Sequence, residues 1–371
     1  MKHIHISEDR QFWLHDGRVL QNLHELQHVL SDMSPATFKH HVSSKHNDFA
    51  KWINDILGDA KFAGKLKKAR SSKNMIALID KALANAQMHK ITDINHLNQI
   101  ANKIRQDTIK TLLAAGSGHS AGPLGMADVF AALYFNVLNH KPRDPTWDGR
   151  DRFVLSNGHI CPVRYVAMAH SGYFPQSELN TLRKLNTRLQ GHPHNTALPG
   201  VESTGGPLGQ GTSVAVGMAL AARMDGKKHQ VYCMVGDGET NEGQVWEAFM
   251  LAGKEKLHNL TVIVDRNNIQ IDGMTETIMP LEPLADKFRA FGFHVIDVDA
   301  HNIQQVIDAC SEAKSILEKP TAIIAHAIPG KGVDFMETKY EWHGKPPNAE
   351  EAKIALHELR TLGGKIRSEH E

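Results

Sequence analysis

Asp237 sits between two glycines, and Asn267-Asn268 follows after 28 intervening residues. An apolar run, Val231 to Val235, leads into Gly236-Asp237-Gly238, and a second, Leu260 to Val264, leads into Asp265-Arg266-Asn267-Asn268. Both runs read as buried strands of a parallel sheet. Ligand sites of such sheets lie at the carboxyl ends of the strands. One carboxylate, one carboxamide and free backbone carbonyls are hard oxygen donors, suited to Mg²⁺ or Ca²⁺ and poorly suited to zinc or copper. Glycines flanking Asp237 let backbone approach a phosphate closely. GDG alone is an ordinary αβ turn. With a strand before each half at this separation, the segment reads as a seat for a metal diphosphate.

Those strand ends need a sheet and its helices to hold them. Thr92 is expected to cap a helix carrying Ile94, Leu97, Ile100, Ile104 and Ile109. Pro123 to Leu138 reads as a second helical stretch, and Phe153 to Ser156 as a short strand. Gly205 to Arg223 has the small residues of closely packed helices, Gly211, Ala215, Gly217, Ala219 and Ala221. A helix follows from Glu242. Strands at His294–Val298 and Thr321–Ala327 alternate with helices at Leu281–Phe291 and Asn302–Leu317. The expected class is α/β, a parallel sheet flanked by helices on both faces.

Residues 1–90 form a segment apart, preceding a domain over 91–371. Leu20, Leu23, Leu26, Val29 and Leu30 recur at helical spacing, and Ser34-Pro35 reads as a cap and first helical position. Phe38, Phe49, Trp52, Ile53, Ile56 and Leu57 suit further helices, with Gly58 as a stop and Met75 to Leu83 helical. A small all-helical module results, with Trp13 and Trp52 expected in its core. The basic run from Lys61 to Lys73 reads as a solvated face. The segment weakly resembles small helical domains of unknown function, FKHHVSSKHNDFAKWI being the suggestive part, and no activity follows from that. His3/His5 and His40-His41 lack an acidic or thiol partner at ligand spacing, so no metal site is read there.

Composition narrows the partners. The net charge of +1 shows no electrostatic footprint for nucleic acid or an anionic membrane. No apolar run reaches transmembrane length, and the amino terminus lacks a signal-peptide core. Cys161, Cys233 and Cys310 are widely spaced, which argues against a disulfide framework and makes the cytoplasm the expected compartment.

The GDG–NN segment resembles the thiamine-diphosphate fingerprint, and further pieces narrow the likeness to the amino-terminal half of transketolase. They occur in that family's order: SGHSAGPLGMAD (Ser117–Asp128), DRFVLSNGH (Asp151–His159), GHPHN (Gly191–Asn195), LPGVESTGGPLGQGTSVAVGMA (Leu198–Ala219), the fingerprint, and EWHGKPPN (Glu341–Asn348). The likeness runs over residues 92 to 360. It implies the thiamine-diphosphate-binding fold, with thiamine diphosphate and Mg²⁺ as cofactors.

The resemblance also implies roles. Asp237 and Asn267 would be side-chain ligands of Mg²⁺ and Ile269 a carbonyl ligand, two diphosphate oxygens and a water completing the octahedron. Gly238 would meet the diphosphate through its backbone, and His159 would neighbour it. Gly206, Pro207 and Leu208 would touch the cofactor's rings, and His343 would border the cofactor as well as the sugar. His119 and His343 would move protons and stabilise an oxyanion, with a near-neutral pKa suited to that task. His192 would hold a hydroxyl of the donor sugar. Glu242 would help couple cofactor sites across a dimer.

Two departures follow. GHPH stands where the family commonly shows GHPE, which alters sugar contacts near His194. The family's second half, which binds the aminopyrimidine and grips the phosphate, has no counterpart here. The expectation is a split transketolase: this chain transfers a ketol unit between sugar phosphates only with a separate carboxyl-terminal subunit, as a homodimer or heterotetramer. Alone it should bind the cofactor weakly and transfer nothing. Competing readings are another thiamine-dependent ketol transferase, a split decarboxylating dehydrogenase subunit, or a non-catalytic scaffold that kept the fold.

Overall fold

The computed structural model describes residues 11–20, 23–56, 58–86 and 90–361. His3, His5, Leu57 and the polar tail beyond Thr361 lie outside them. The chain divides into two compact units, Met1–His89 and Lys90–Glu371.

An antiparallel ribbon, β1 (Phe12–Trp13) and β2 (Val19–Leu20), opens the first unit. Helices α1 (Leu23–Asp32), α2 (Pro35–His41), α3 (Asp48–Asp55), α4 (Ala60–Leu66) and α5 (Ser72–Ala86) follow. The unit is helical, as its spacing predicts, with the ribbon as an addition. Leu20 therefore ends a strand instead of starting a helix. Asp16-Gly17 is the cause: Gly17 takes a φ of 85° in the turn, the left-handed geometry that hairpins favour. Ser34, Asn47 and Asp59 cap α2, α3 and α4 by accepting the N–H of Thr37, Ala50 and Phe62. Such caps contribute about 1 kcal/mol each. Leu26, Phe49, Trp52, Ile53, Leu66 and Met75 form the core. Trp13 corrects the expectation, being 64% exposed on the ribbon. Lys61, Lys65, Lys67 and Lys68 are exposed while Phe62, Ala63 and Leu66 turn inward, so the basic run is a solvated face.

In the second unit, α6 (Ile94–Ala115), α7 (Ala121–Gly125) and α8 (Ala127–Ala132) precede β3 (Arg152–Leu155). Then come α9 (Cys161–Ser171), α10 (Gln210–Met224), β4 (Val231–Gly236), α11 (Gly243–Lys254) and β5 (Leu260–Arg266). A short ribbon, β6 (Ile269–Gln270) and β7 (Gly273–Met274), leads to α12 (Thr275–Ile278) and α13 (Leu284–Ala290). β8 (His294–Asp299), α14 (Ile303–Ser315), β9 (Thr321–His326) and α15 (Ala349–Thr361) complete it. The main sheet is wholly parallel, in the order β3-β4-β5-β9-β8. Side chains alternate between its faces. Tyr232, Met234 and Ile263 join the core under α6, α8, α9 and α14. Val231, Cys233, Val235 and Val264 join the core under α10, α11 and α13. Gly236 pairs in register with Asp265, so the loops after β4 and β5 leave one edge together.

Boundaries shift where local chemistry decides. Asp93, not Thr92, caps α6, accepting the His96 N–H. Pro123–Leu138 is not one helix: α7 and α8 break at Met126, and a π-helical turn covers Leu133–Val137. Gly205–Gly209 stays a loop before α10, because Gly206 and Gly209 hold φ of 136° and 82°. Pro283 delays the next helix to Leu284.

Candidate active site

Asp237 follows β4 and is 1% exposed. Its Oδ1 accepts the Gly238 N–H at 2.7 Å, and its Oδ2 accepts the Asn268 N–H at 2.7 Å and Arg266 Nη1 at 3.0 Å. The Arg266 guanidinium also reaches Glu276 at 2.6 Å and Glu282 at 3.0 Å. Burial pushes the Asp237 carboxyl above its ordinary pKa, and Arg266 pulls the other way. Asn268 takes a φ of 63°, which its short polar side chain tolerates and which turns its N–H toward Asp237. Asn267 Oδ1 accepts the Ile269 N–H at 3.1 Å. Ile269 then starts β6, its side chain buried with Ile109, Leu124 and Trp342. Asp237, Asn267 and Ile269 thus share one sheet edge. Gly238 sits close under the Gln270 side chain, which an added Cβ would approach to 2.8 Å.

His119, His159 and His343 come together from three loops. Their ring centroids lie 5.0 Å (119 to 159), 5.5 Å (119 to 343) and 5.0 Å (159 to 343) apart. The loop bearing His343 is tied to the loop bearing His119 by two hydrogen bonds: Ser120 Oγ donates to the Lys345 carbonyl at 2.6 Å, and the Gly330 N–H to the Ala121 carbonyl at 2.8 Å. His192 borders the trio, with its Cδ2 3.4 Å from the position a Cβ would occupy on Gly158. The Gly205 N–H donates to the Pro193 carbonyl at 2.8 Å, joining the GHP loop to the GGPLG loop. In that loop Pro207 is exposed and Leu208 is 38% exposed. Glu242 is the exposed N-cap of α11, with no capping bond from its side chain.

The histidines are less basic than expected. Burial, then the charges of His343, Arg183 and His192, lowers His119 to about 4. Burial holds His159 well below the usual value, and lowers His343 and His192 too. All four are neutral near pH 7, each able to donate from one ring nitrogen and accept at the other.

Sequence reasoning passed over several residues at this edge. Asn157, Asp265, Glu239, Arg266 and Arg183 all meet it. Asn157 was legible in Ser156-Asn157-Gly158-His159 and Glu239 in Gly236-Asp237-Gly238-Glu239, both beside residues read as functional. Of fifteen buried side-chain atoms without a hydrogen-bond partner among the described residues, five are here: both amide atoms of Asn157, both carboxyl oxygens of Asp265, and His119 Nδ1. Burial and the neighbouring Asp237 charge raise the Asp265 carboxyl well above its ordinary pKa. Leaving such atoms unpaired costs about 1–3 kcal/mol each. The five at this edge, beside Asp237 and the histidine trio, fit a bound ligand that brings both a cation and hydrogen-bonding groups. A separate cavity of about 280 Å³ shares Arg266, Asn267 and Asn268 with this edge and continues to Asp299 and His326. None of the four histidines lines it.

Comparison with known proteins supplies the family. Residues 96–363 fit the family model described as the transketolase, thiamine diphosphate binding domain. The chain is 45% identical over 267 residues to the 6-deoxy-6-sulfo-D-fructose transketolase subunit SqwG of Clostridium sp. (strain MSTE9), covering 72% of this chain and 97% of that protein. It is 37% identical to an apulose-4-phosphate transketolase subunit of Phocaeicola vulgatus, covering 73% of this chain and 96% of that one. The transketolase structure from Campylobacter jejuni superposes with a TM-score of 0.68 at 37% identity, over 71% of this chain and 42% of that one. The chain thus spans under half the length of that enzyme and nearly all of the two subunits. A parallel sheet bearing this fingerprint, the histidine trio beside it and these matches lead to one conclusion: the chain belongs to the transketolase family and carries its thiamine-diphosphate-binding domain.

Proposed function

We propose that this chain is the cofactor-anchoring subunit of a two-chain transketolase, which moves a two-carbon ketol unit between sugars bearing an anionic end. The observation that carries this reading is the meeting of the histidine trio with the paired ends of β4 and β5 that bear Asp237 and Asn267, where Asn157, Asp265 and His119 also keep buried atoms unpaired. In this reading Asp237, Asn267 and the Ile269 carbonyl hold Mg²⁺. Gly238, His159 and the Gly206–Pro207–Leu208 loop hold thiamine diphosphate. When bound, that cofactor supplies the nucleophilic carbon and electron sink of ketol transfer. His119 and His343, both neutral, take a proton from a sugar hydroxyl and return one to the sugar oxygen. His192 binds a donor hydroxyl and fixes the chain of the sugar. Glu242 faces solvent, where a second subunit could reach it.

A partner chain bearing the second half is part of the reading. It rests on relatives that are themselves named subunits and are covered almost end to end. We read the assembly as a homodimer or heterotetramer, and residues 1–90 as an accessory module outside the chemistry. The relatives' names point to ketoses ending in phosphate or sulfonate, so either group suits the substrate. A cytoplasmic setting accords with three free, buried cysteines. Among the described residues no helix is long and apolar enough to cross a membrane.

Titration calorimetry with Mg²⁺ and thiamine diphosphate tests the reading, with Asp237→Ala as control. Saturable binding by the natural chain that the variant loses is expected. Equal binding by both, or none by either in the presence of the partner chain, overturns it.

A further inference from the structure

We propose that Glu239 is a positioning residue that locks together the three segments of the cofactor cradle, an inference that rests on the proposed function. Glu239 is 3% exposed. Its Oε1 accepts from Ser156 Oγ at 2.5 Å and from the Gly209 N–H at 2.7 Å; its Oε2 accepts the Gly236 N–H at 3.0 Å. Ser156 heads the turn that carries Asn157 and His159. Gly209 ends the Gly206–Pro207–Leu208 loop. Gly236 immediately precedes Asp237. One carboxylate therefore joins the ends of β3 and β4 to the loop before α10.

The peptide between Leu208 and Gly209 is held at both ends. Glu239 accepts its N–H, and Gln244 Nε2 donates to its carbonyl at 2.6 Å. That grip has a purpose a core contact would not need. Leu208 is 38% exposed, so packing does not fix it. Gly209 adopts a φ of 82°, a conformation that glycine visits freely and leaves as freely. Two directed hydrogen bonds supply the order that the loop's own sequence lacks. The fit against the turn after β3 is also close, since a Cβ on Gly211 would lie 2.6 Å from Ser156. With the carboxylate in place, Leu208 is pre-set toward the cofactor; without it, binding must order the loop first.

Glu239→Gln is the test. A carboxamide can accept at one atom only, so the Gly209 and Gly236 N–H groups cannot both keep their acceptor on separate oxygens. Hydrogen–deuterium exchange on the full chain should show the Gly209 or the Gly236 amide exchanging about tenfold faster or more, the scale of a lost hydrogen bond to a charged group, and Glu239→Ala, which leaves no acceptor, should free both. Affinity for Mg²⁺–thiamine diphosphate should fall by a similar factor, while the melting temperature of the first unit stays put. Ser156→Ala removes the hydroxyl and leaves the peptide grip, so Gly209 exchange should stay near that of the natural chain. Unchanged Gly209 exchange in Glu239→Ala overturns the proposal, and so does faster exchange with unaltered cofactor affinity. If that variant fails to fold, Gln244→Ala, which removes the other end of the grip, carries the same two readouts. A natural chain that binds no cofactor even with its partner sinks the functional reading instead, and the exchange result still decides whether Glu239 holds the loop.

Discussion

The two units differ in how they treat buried polar groups. In the helical unit, the buried polar side chains are spoken for: Thr37 and Asn47 serve helix starts, and His41 accepts the His15 N–H at 3.0 Å while its other nitrogen meets Asp48 at 3.1 Å. In the α/β unit, fifteen buried side-chain atoms of the described residues have no partner, and five of them, on Asn157, Asp265 and His119, lie at the edge that carries Asp237. The first pattern is that of a module built for stability. The second stores unfavourable desolvation where a ligand can release it. The contrast agrees with the second unit carrying the chemistry, where the five partnerless atoms at the Asp237 edge adjoin the histidine trio.

Substitutions can break or sharpen that contrast, and the largest effect belongs to the histidine trio. His119→Asn in the reconstituted enzyme should lower kcat by about 10²–10⁴-fold, the usual worth of a positioned acid–base group. Steady-state kinetics should show this with cofactor affinity altered only a few-fold; an undiminished kcat would remove His119 from the chemistry. Next comes Phe49→Ala, which should destabilise the helical unit by about 3–5 kcal/mol through the cavity it leaves. Denaturant unfolding would read it, and cofactor affinity should not move. A loss of cofactor binding there would contradict the separation of roles.

Asp265→Asn sharpens the contrast from the other side. It replaces an unpaired buried carboxyl with a group that cannot ionise. The cofactor-free chain should gain about 1 kcal/mol or less, with weaker Mg²⁺–thiamine diphosphate binding as the accompanying cost. Lower stability and unchanged affinity would show Asp265 to be structural.

The smallest effect is one of pH. Burial depresses His41 in the helical unit and His119 in the α/β unit below the ordinary 6.5. Below 6.5 the unfolded chain therefore takes up protons that the folded chain refuses. The stability these groups contribute is whole above pH 6.5 and shrinks as pH falls, for His119 down to about 4. Melting temperatures measured between pH 7 and 4.5 should decline for both units. His41→Gln should flatten the decline in the helical unit alone; a decline that persists there would assign it to other groups.

The sequence made some of this legible and hid the rest for physical reasons. β4 and β5 were plain, because strands buried on both faces are continuous apolar runs. Asp237 and Asn267 were legible as candidates through a glycine-flanked turn and a second strand end at a fixed separation, the histidines only through the resemblance of their motifs to the family's. The ribbon at Phe12–Leu20 was missed although Asp16-Gly17 signalled a hairpin, since Leu20 also satisfied a helical period. Trp13 looked like core because residue type says nothing about which face of a short ribbon is covered. Glu239 and Asp265 were passed over because their significance lies in partners far away in sequence, or in having none. Depressed histidine pKa values depend on burial by several loops at once, which no local pattern reports.

The most direct test of the account is reconstitution. The full chain is mixed with a carboxyl-terminal transketolase half from the same source, with Mg²⁺ and thiamine diphosphate. Transfer is assayed from xylulose 5-phosphate or 6-deoxy-6-sulfo-D-fructose to ribose 5-phosphate. The account predicts transfer in the mixture, none from either chain alone, and none when His119→Asn replaces the natural chain. Robust transfer by this chain alone, or a silent mixture with cofactor bound and both donors present, would contradict it.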